Sequence, residues 1–520
     1  MRLRPTLTAT RARDYRRPGG PWDVPPLDAV LSPRSGAPVR LVDGSVRLTG
    51  PELDSLVGAL AGGLRANGVR RGDAVAWQLP NWHESVLLYR ACWRLGAVAA
   101  PLHHSWGPSE VERILELIEP KLVLGGTGMP AREARRAVPV RGPEGEFPNL
   151  LGTSSPPPAA RPTDLAVVVF TSGSTGEPKA VLHTQRTLAY KARLMTGVHG
   201  LGRDDAVLMP APLAHVSGLL NAVLVPGAAG MLTVLMERWD PEAALTAVET
   251  ERISFMVGPP TFFLGLMSAG TFSRRRVASL RLVSSGGTGV SPAFVATATE
   301  ELGCLVKRSY GSTEAPTVTT TMSSDAPRQA QETDGKAVGE VELRISDPSS
   351  GRPLPPGAEG ELWVRGPELF AGYAEASQTQ EATRRGWFRT GDLAVLDRDH
   401  SLTIVGRIKD VIIRGGENIA TAEVESVLEA HPSVRQAVAV GYPDVRLGER
   451  VAVFVVTDDR FDLEACRAWF AERGVARFKV PELVVPVAGL PTTAAGKADR
   501  AGLRERLLAV ASGRPPGPAP

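Results

Sequence analysis

Leu165-Ala-Val-Val-Val-Phe170 runs without interruption into Thr171-Ser-Gly-Ser-Thr-Gly-Glu-Pro-Lys-Ala180. The first six residues are an unbroken apolar run and read as a buried strand. The next ten are glycine, hydroxyl residues and one lysine. A buried strand that ends in such a loop turns backbone N–H groups, several hydroxyls and an ammonium toward one polyanion, so a nucleoside triphosphate, ATP, is the expected ligand. The spacing is not that of Gly-x-x-x-x-Gly-Lys-Ser/Thr, because Lys179 follows Gly176 by three positions and no hydroxyl comes next. The P-loop kinase and ATPase reading is thereby disfavoured.

Outward from this loop the chain alternates helix and strand. Leu53, Leu56, Val57, Leu60 and Leu64 repeat at helical spacing and stop at Gly68, predicting a helix over 52–67. Asp73 to Leu79 reads as a strand, His83 to Leu95 as a helix and Val98 to Leu102 as a strand, and short apolar strands recur at 206–209, 253–258 and 280–284. This alternation predicts layered α/β structure with parallel strands. After about residue 338 the pattern turns β-rich, with strands at 340–346, 361–365 and 402–405 around a Pro/Gly-rich turn at 348–360. A compact strand and helix unit follows from Arg407. The fold class is therefore α/β: a large N-terminal domain of two layered α/β subdomains plus a small β-barrel-like module, then a small mobile α+β C-terminal domain. The expected divisions are a disordered basic leader (1–20), the large domain (21–408), the small domain (409–508) and a disordered tail (509–520), which is rich in Pro, Gly and Ser.

The 520 residues, 43% hydrophobic, suffice for two or more cores. Lys plus Arg at 59 against Asp plus Glu at 56 gives a net charge of +3, too little to argue for a nucleic-acid partner. Cys92, Cys304 and Cys466 are far apart and never at metal-ligand spacing, which fits a reducing, cytoplasmic setting. The arginine-rich first twenty residues lack the apolar core of a secretory signal. The longest apolar stretches, such as 219–235, are broken by Pro226, Gly227 and Gly230, so no membrane span is expected.

Five further segments place glycines beside charged or hydroxyl residues: Pro212-Leu-Ala-His-Val-Ser-Gly218, Ser309-Tyr-Gly-Ser-Thr-Glu314, Trp387-Phe-Arg-Thr-Gly-Asp-Leu393, Gly406-Arg-Ile-Lys-Asp-Val-Ile-Ile-Arg-Gly-Gly-Glu-Asn-Ile419 and Pro491-Thr-Thr-Ala-Ala-Gly-Lys497. With the phosphate loop, and in this order, they resemble the adenylate-forming superfamily of acyl-CoA synthetases, carrier-protein adenylation domains and luciferases, over about residues 20–508. Acid:CoA ligases are the members most like it.

The resemblance implies a role for each segment. Thr171, Ser172, Gly173, Ser174, Thr175, Gly176 and Lys179 would hold the β- and γ-phosphates. Ser309, Tyr310, Gly311 and Ser312 would border the nucleotide with Gly287 and Thr288, the tyrosine ring lying on adenine. Thr313 would contact the α-phosphate, and Glu314 would bind Mg²⁺, an ion that favours carboxylate and phosphate oxygens. Asp392, assisted by Arg407, would accept hydrogen bonds from the ribose hydroxyls. Lys497 would be the catalytic lysine bridging the acyl carboxylate and the α-phosphate, an electrostatic role suited to a side chain charged at neutral pH. Lys409 takes the hinge position, and Gly415, Gly416, Glu417 and Asn418 would border the pantetheine tunnel once the small domain has turned. His215 would gate the passage between the acyl pocket and that tunnel. Walls of the acyl pocket would come from Val216, Gly218, Phe262, Phe263, Gly286 and Pro316, with Gly287 and Thr288; none can pair with an amino acid's charges, so a non-amino acid is favoured.

Departures from the family pattern fall at Ser174, Ala180, Thr421 and Thr288-Gly289. The last borders both adenine and acyl group, so the acid is the open part: aromatic, alicyclic or short to medium aliphatic. The first reading is an acid:CoA ligase using ATP, Mg²⁺ and CoA. A second keeps the adenylate and changes the chemistry around it: loading of a carrier protein in trans, amide formation, or activation of a non-carboxylate acid such as nitrite. A third, a silent nucleotide-binding protein, is weakened by the joint presence of Lys179, Glu314, Asp392, Arg407 and Lys497. A homodimer is compatible with the sequence, which leaves oligomeric state open.

Overall fold

The computed structural model describes residues 3–7, 11–31, 38–126, 128–133, 137–141, 145–172, 178–322, 324–414, 417–444, 446–493 and 497–511. The helix Gly50–Ala66 begins where Thr49 and Glu52 form a reciprocal capping box, and it buries Leu53, Val57, Leu60 and Leu64 as their spacing predicted. A Cβ at Gly63 would lie 1.5 Å from the Leu150 carbonyl oxygen, so glycine is what lets the segment after Leu150 lie against this helix. The helix His83–Leu95 follows, buried almost throughout and closed by Gly96 in the left-handed conformation.

Strands sort into four sheets. A six-stranded sheet carries Ala137–Pro139, Leu122–Gly125, Ala74–Gln78, Val98–Leu102 and Leu165–Ser172 as parallel neighbours, with Pro178–Thr184 antiparallel to the last. A nine-stranded sheet has a parallel centre formed by Leu305–Tyr310, Leu282–Gly286, Phe255–Gly258, Ala206–Met209, Leu232–Leu235 and Val39–Asp43. One large apolar cluster, including Trp77, Tyr89, Trp93, Leu188, Met209 and Leu224, joins the helices between these two sheets. Buried parallel strands with continuous apolar runs are what helices covering both faces require.

An antiparallel five-stranded sheet follows, containing Glu342–Ser346, Glu359–Arg365, Thr383–Arg384, Trp387–Leu396 and Leu402–Arg407. Beyond it, Val411–Arg414, Glu417–Ala420, Val434–Asp444, Gly448–Thr457 and Leu483–Pro486 make a last sheet with its own core of Ile412, Val424, Leu428, Val453 and Phe470. None of the described helices is long and apolar enough to cross a membrane.

The described part of the leader corrects the expectation of disorder over 1–20. Thr6 donates its backbone N–H to the Ala371 carbonyl (2.8 Å) and its hydroxyl to the Tyr373 carbonyl (2.7 Å). Tyr15 is 2% exposed, and Trp22 donates its indole N–H to Pro367. Arg11 and Arg17 pair with Glu342 and Glu340, and the Arg186 guanidinium lies 3.7 Å from the Trp22 ring centroid. Two aromatic anchors outweigh the charge of the arginines, several of which find carboxylate or aromatic partners.

Candidate active site

Strand ends and the loops after them bring several of the expected residues together. The strand Leu305–Tyr310 delivers Tyr310, whose hydroxyl donates to Asp392 Oδ2 at 2.5 Å. Asp392 sits inside the strand Trp387–Leu396. It is 3% exposed, receives Arg407 Nε at 2.8 Å on its other oxygen, and has its backbone N–H held by the Thr390 hydroxyl. Burial pushes the Asp392 carboxyl upward while Arg407 and Tyr310 oppose it. The neighbouring carboxylate holds Arg407 firmly charged, its pKa raised.

Lys497 reaches this cluster from the small domain. A Cβ on Gly287 would lie 3.5 Å from Lys497 Cε and 3.9 Å from its Nζ, so the ammonium stem crosses the backbone that follows the strand Leu282–Gly286. Gly287 has φ +80, a conformation that favours glycine. Burial and the nearby Arg407 lower the Lys497 pKa, and Asp392 works against them. His215 is pulled down to about 4 by burial and by Lys497, so it is neutral near pH 7. Its Nδ1 accepts the Ser217 N–H at 3.3 Å, which leaves the proton on Nε2.

The segment Gly311–Thr317 is held from several sides. Thr313 is buried and its carbonyl accepts from His183 Nε2 at 2.7 Å. Glu314 Oε1 accepts the Tyr373 hydroxyl at 2.6 Å, and Lys179 Nζ lies 5.2 Å from the centroid of the same tyrosine ring. Tyr373 thus links the carboxylate expected to hold metal with the lysine expected to hold phosphate. Ser309 Oγ meets Ser284 Oγ at 2.7 Å, while Ser312 Oγ accepts the Ala315 N–H.

Among the proposed acyl walls, Val216, Phe262 and Pro316 are buried, and Gly218 ends the helical turn Val216–Gly218 that leads into a π-helix over Leu219–Leu224. A Cβ on Gly286 would lie 2.2 Å from the Ser309 carbonyl oxygen, so this position must stay glycine for the two strands to pair. Phe263 departs from its assignment. It belongs to the cluster with Leu266, Val283 and Phe294, whereas Phe262 stacks on Trp239 in the other cluster. Consecutive helical residues point about 100° apart, so the two phenylalanines enter different buried clusters.

Gly173, Ser174, Thr175, Gly176, Gly415 and Gly416 lie outside the described residues, as do the side chains of Ser172, Lys409, Glu417 and Asn418. Ser172 ends its strand, and Pro178 and Lys179 open the antiparallel return. Asn418 and Glu417 pair with Ile413 and Arg414 across a hairpin.

Sequence reasoning missed Tyr373, His183 and the pair His103–His104. The two histidines follow the end of the strand Val98–Leu102, stack at 4.5 Å, and burial with His104 and His215 drives His103 down to about 3. A doubled histidine directly after a buried strand was the available signal. Tyr373 carried none, since nothing local marks it as a partner of Glu314.

The residues fit Mg²⁺ at Glu314, because the Tyr373 hydroxyl engages one carboxylate oxygen and Mg²⁺ commonly takes one or two carboxylates together with phosphate oxygens and water. Asp43, His83 and Glu84 also converge, but Arg141 Nη2 lies 2.5 Å from Asp43 and 2.6 Å from Glu84. A guanidinium, rather than a metal, satisfies that cluster.

Asp392 paired with Arg407 and Tyr310, Thr313 and Glu314 beyond a strand end, and Lys497 nearby are the groups that the resemblance expects in a nucleotide-activating ligase. The profile described as AMP-binding enzyme matches residues 31–374 and that described as AMP-binding enzyme C-terminal domain matches 423–497. The chain belongs to this adenylate-forming family. It is 31% identical to the medium-chain fatty-acid–CoA ligase of Escherichia coli (strain K12), covering 98% of this chain and 95% of that one. Identity to the feruloyl-CoA synthase of an Amycolatopsis species is 35%, over 94% and 99% of the two chains. Among solved structures, the amide bond synthetase McbA of Marinactinospora thermotolerans superposes with a TM-score of 0.82 at 29% identity, covering 92% of this chain and 99% of that chain.

Proposed function

We propose that this protein is an AMP-forming acid:CoA ligase acting on a small, non-amino carboxylic acid. The observation that carries the reading is Lys497 lodged against Gly287 with Arg407 and Asp392 close enough to shift its charge equilibrium. In the first half-reaction a carboxylate oxygen of the acid bonds to the α-phosphorus of ATP as the bond to the bridging oxygen breaks and pyrophosphate leaves. Lys497 offers its ammonium to the oxygens that meet there, and preorganised positive charge at that point stabilises the transition state. Asp392, fixed by Arg407 and Tyr310, orients the ribose. Thr313 sits at the α-phosphate, and Lys179 with the loop before it cradles the leaving phosphates. Mg²⁺, when bound at Glu314, supplies charge neutralisation on the phosphate oxygens. The acyl pocket would run past Val216, Gly218, Phe262, Gly286 and Pro316.

In the second half-reaction the CoA sulfur bonds to the acyl carbon and AMP leaves with the electron pair of the mixed anhydride. The small domain must first turn about Lys409, withdrawing Lys497 and presenting the Gly415–Asn418 hairpin. Ile413, in the strand entering that hairpin, is 56% exposed, and an apolar side chain left in water at such a place suits a face that becomes covered after rotation. His215, neutral and next to Lys497, is placed to gate the thiol path. The three cysteines are free, which agrees with a cytoplasmic setting.

The deciding experiment is pyrophosphate release across a panel of aromatic, alicyclic and aliphatic acids, with and without CoA, with mass spectrometry of the product. Acid-dependent release with a thioester product is expected. Release without a thioester would move the assignment to the second reading, transfer to an amine or carrier protein, which the likeness to an amide bond synthetase favours.

Two consequences can be measured on the same assay. Tyr373→Phe removes the 2.6 Å bond to Glu314 but keeps the ring beside Lys179. Loss of a hydrogen bond to a charged group is worth about 1.5–3 kcal/mol, so kcat for adenylation should fall by about ten- to a hundredfold with the Mg²⁺ requirement raised. An unchanged Mg²⁺ titration would remove Tyr373 from that role. Glu429, on the small domain's helix Thr421–Glu429, bonds Ser291 of the large domain, and burial and Glu425 raise its pKa to about 7. A carboxyl raised in this arrangement favours it most below the ordinary carboxyl range, and the benefit is lost as pH rises through about 7. The adenylation rate should therefore decline across that window, and Glu429→Gln should flatten the decline.

A further inference from the structure

A cavity of about 350 Å³ lies away from the adenylation site, walled by Leu31, Leu41, Leu53 and Val86 and by Ala222 and Val223 of the π-helix. It shares no wall residue with the acyl pocket proposed above. Three arginines, Arg40, Arg90 and Arg203, also line it. Arg90 is 4% exposed. Its Nη2 makes only long bonds, 3.3 Å to the Leu31 carbonyl and 3.3 Å to Asp54, and its Nε has no hydrogen-bond partner among the described residues. A buried guanidinium N–H without an acceptor is costly and uncommon in native proteins. Arg40 donates to the Arg203 carbonyl at 3.2 Å, and burial, followed by the charge of Arg203, lowers the Arg40 pKa against the opposing Asp204. Two cations that repel one another at a cavity wall gain from an anion between them. Asp204 lies near Arg40, while Asp54 and Asp28 act on Arg90, both of them shared with Arg94.

We propose that this cavity is a second ligand site for an amphipathic monocarboxylate, its carboxylate meeting the Arg40, Arg90 and Arg203 cluster and its aliphatic tail lying on the leucine, valine and alanine walls. The volume is in the range of pockets that take small organic ligands, and an apolar lining with a few convergent polar groups is the usual composition of such sites. Planar guanidinium groups match carboxylate geometry bidentately. Because Ala222 and Val223 belong to the segment that begins just after His215 and Gly218, occupancy bears on the wall of the acyl pocket from its far side.

The test uses the full-length protein and dodecanoate carrying a photoreactive diazirine near its tail end, with no nucleotide present. Cross-links are expected on peptides containing Val86 and Ala222 to Met231. Labelling is expected to be competed by dodecanoate, while dodecanol, with the same tail and no charge, competes at least about tenfold less well, as loss of a charge-assisted pair implies. Arg40→Ala with Arg203→Ala should weaken labelling by at least about tenfold for the same reason, and Ala228→Phe should abolish it by filling the cavity. Either substitution tests the site if the other impairs folding. Cross-links confined to 213–220 and 258–290 would assign the probe to the acyl pocket alone and overturn the proposal, as would equal competition by dodecanol. Inorganic phosphate competing as well as dodecanoate would show an anion site without a tail subsite and overturn it too.

Discussion

Replacing Lys497 by alanine is expected to lower acid-dependent exchange between pyrophosphate and ATP by about a hundred- to a thousandfold, the usual cost of removing one preorganised donor from a developing charge. The same variant, given the acyl-adenylate preformed, should make thioester at a rate within about tenfold of the parent, because Lys497 is proposed to leave the site before the thiol attacks. The geometry sets the size of the first effect. Lys497 meets the site with Arg407, Asp392 and His215 close by, and its stem rests on Gly287, a position without a side chain. Equal losses in both half-reactions would show that Lys497 serves the structure of the domain contact, and the assignment would fall.

Substituting Lys191 by methionine is expected to destabilise the large domain by about 3–5 kcal/mol, the range found when one partner of a buried ion pair is removed. Lys191 is fully buried; its Nζ lies 3.4 Å from Glu368 Oε1 and donates to the Thr317 carbonyl at 2.7 Å. Thr317 has φ +46, a left-handed conformation that a threonine adopts only when its surroundings impose it. The ammonium is one of those constraints, and Thr317 lies three residues from Glu314. Urea denaturation should show the loss of stability, and the KM for ATP should rise as the 311–317 segment relaxes. Pairing Lys191→Met with Glu368→Leu should recover most of the stability, since no uncompensated charge remains, while leaving KM raised because Thr317 still lacks its donor. A double variant with normal KM would confine Lys191 to a packing role.

The parts of this protein that were legible in its sequence are those governed by local rules. A six-residue apolar run before a glycine and hydroxyl loop reads as a buried strand, and the strand Leu165–Ser172 is there; a 3.6-residue repeat stopped by Gly68 predicts a helix over 52–67, and the helix is Gly50–Ala66. Motif order then carried the family, and the roles proposed for Tyr310, Glu314, Asp392 and Lys497 rest on it. Residues that act by meeting across long separations were not legible. Tyr373 finds Glu314 over 59 positions, His183 finds Thr313 over 130, and Lys191 reaches Thr317 over 126. The same holds for the leader, whose arginines suggested solvation until Tyr15 and Trp22 were seen packed on the large domain.

Phe262 and Phe263 mark the division most simply. Composition and position made both candidates for one wall, yet the helix sends them to different cores. Sequence alone determined which chemistry the chain carries, because glycine, hydroxyl, carboxylate and lysine keep their properties wherever they lie. Only the tertiary structure decided which of these groups share a partner and in what charge state they meet, because burial and pairing depend on neighbours that chain order does not reveal.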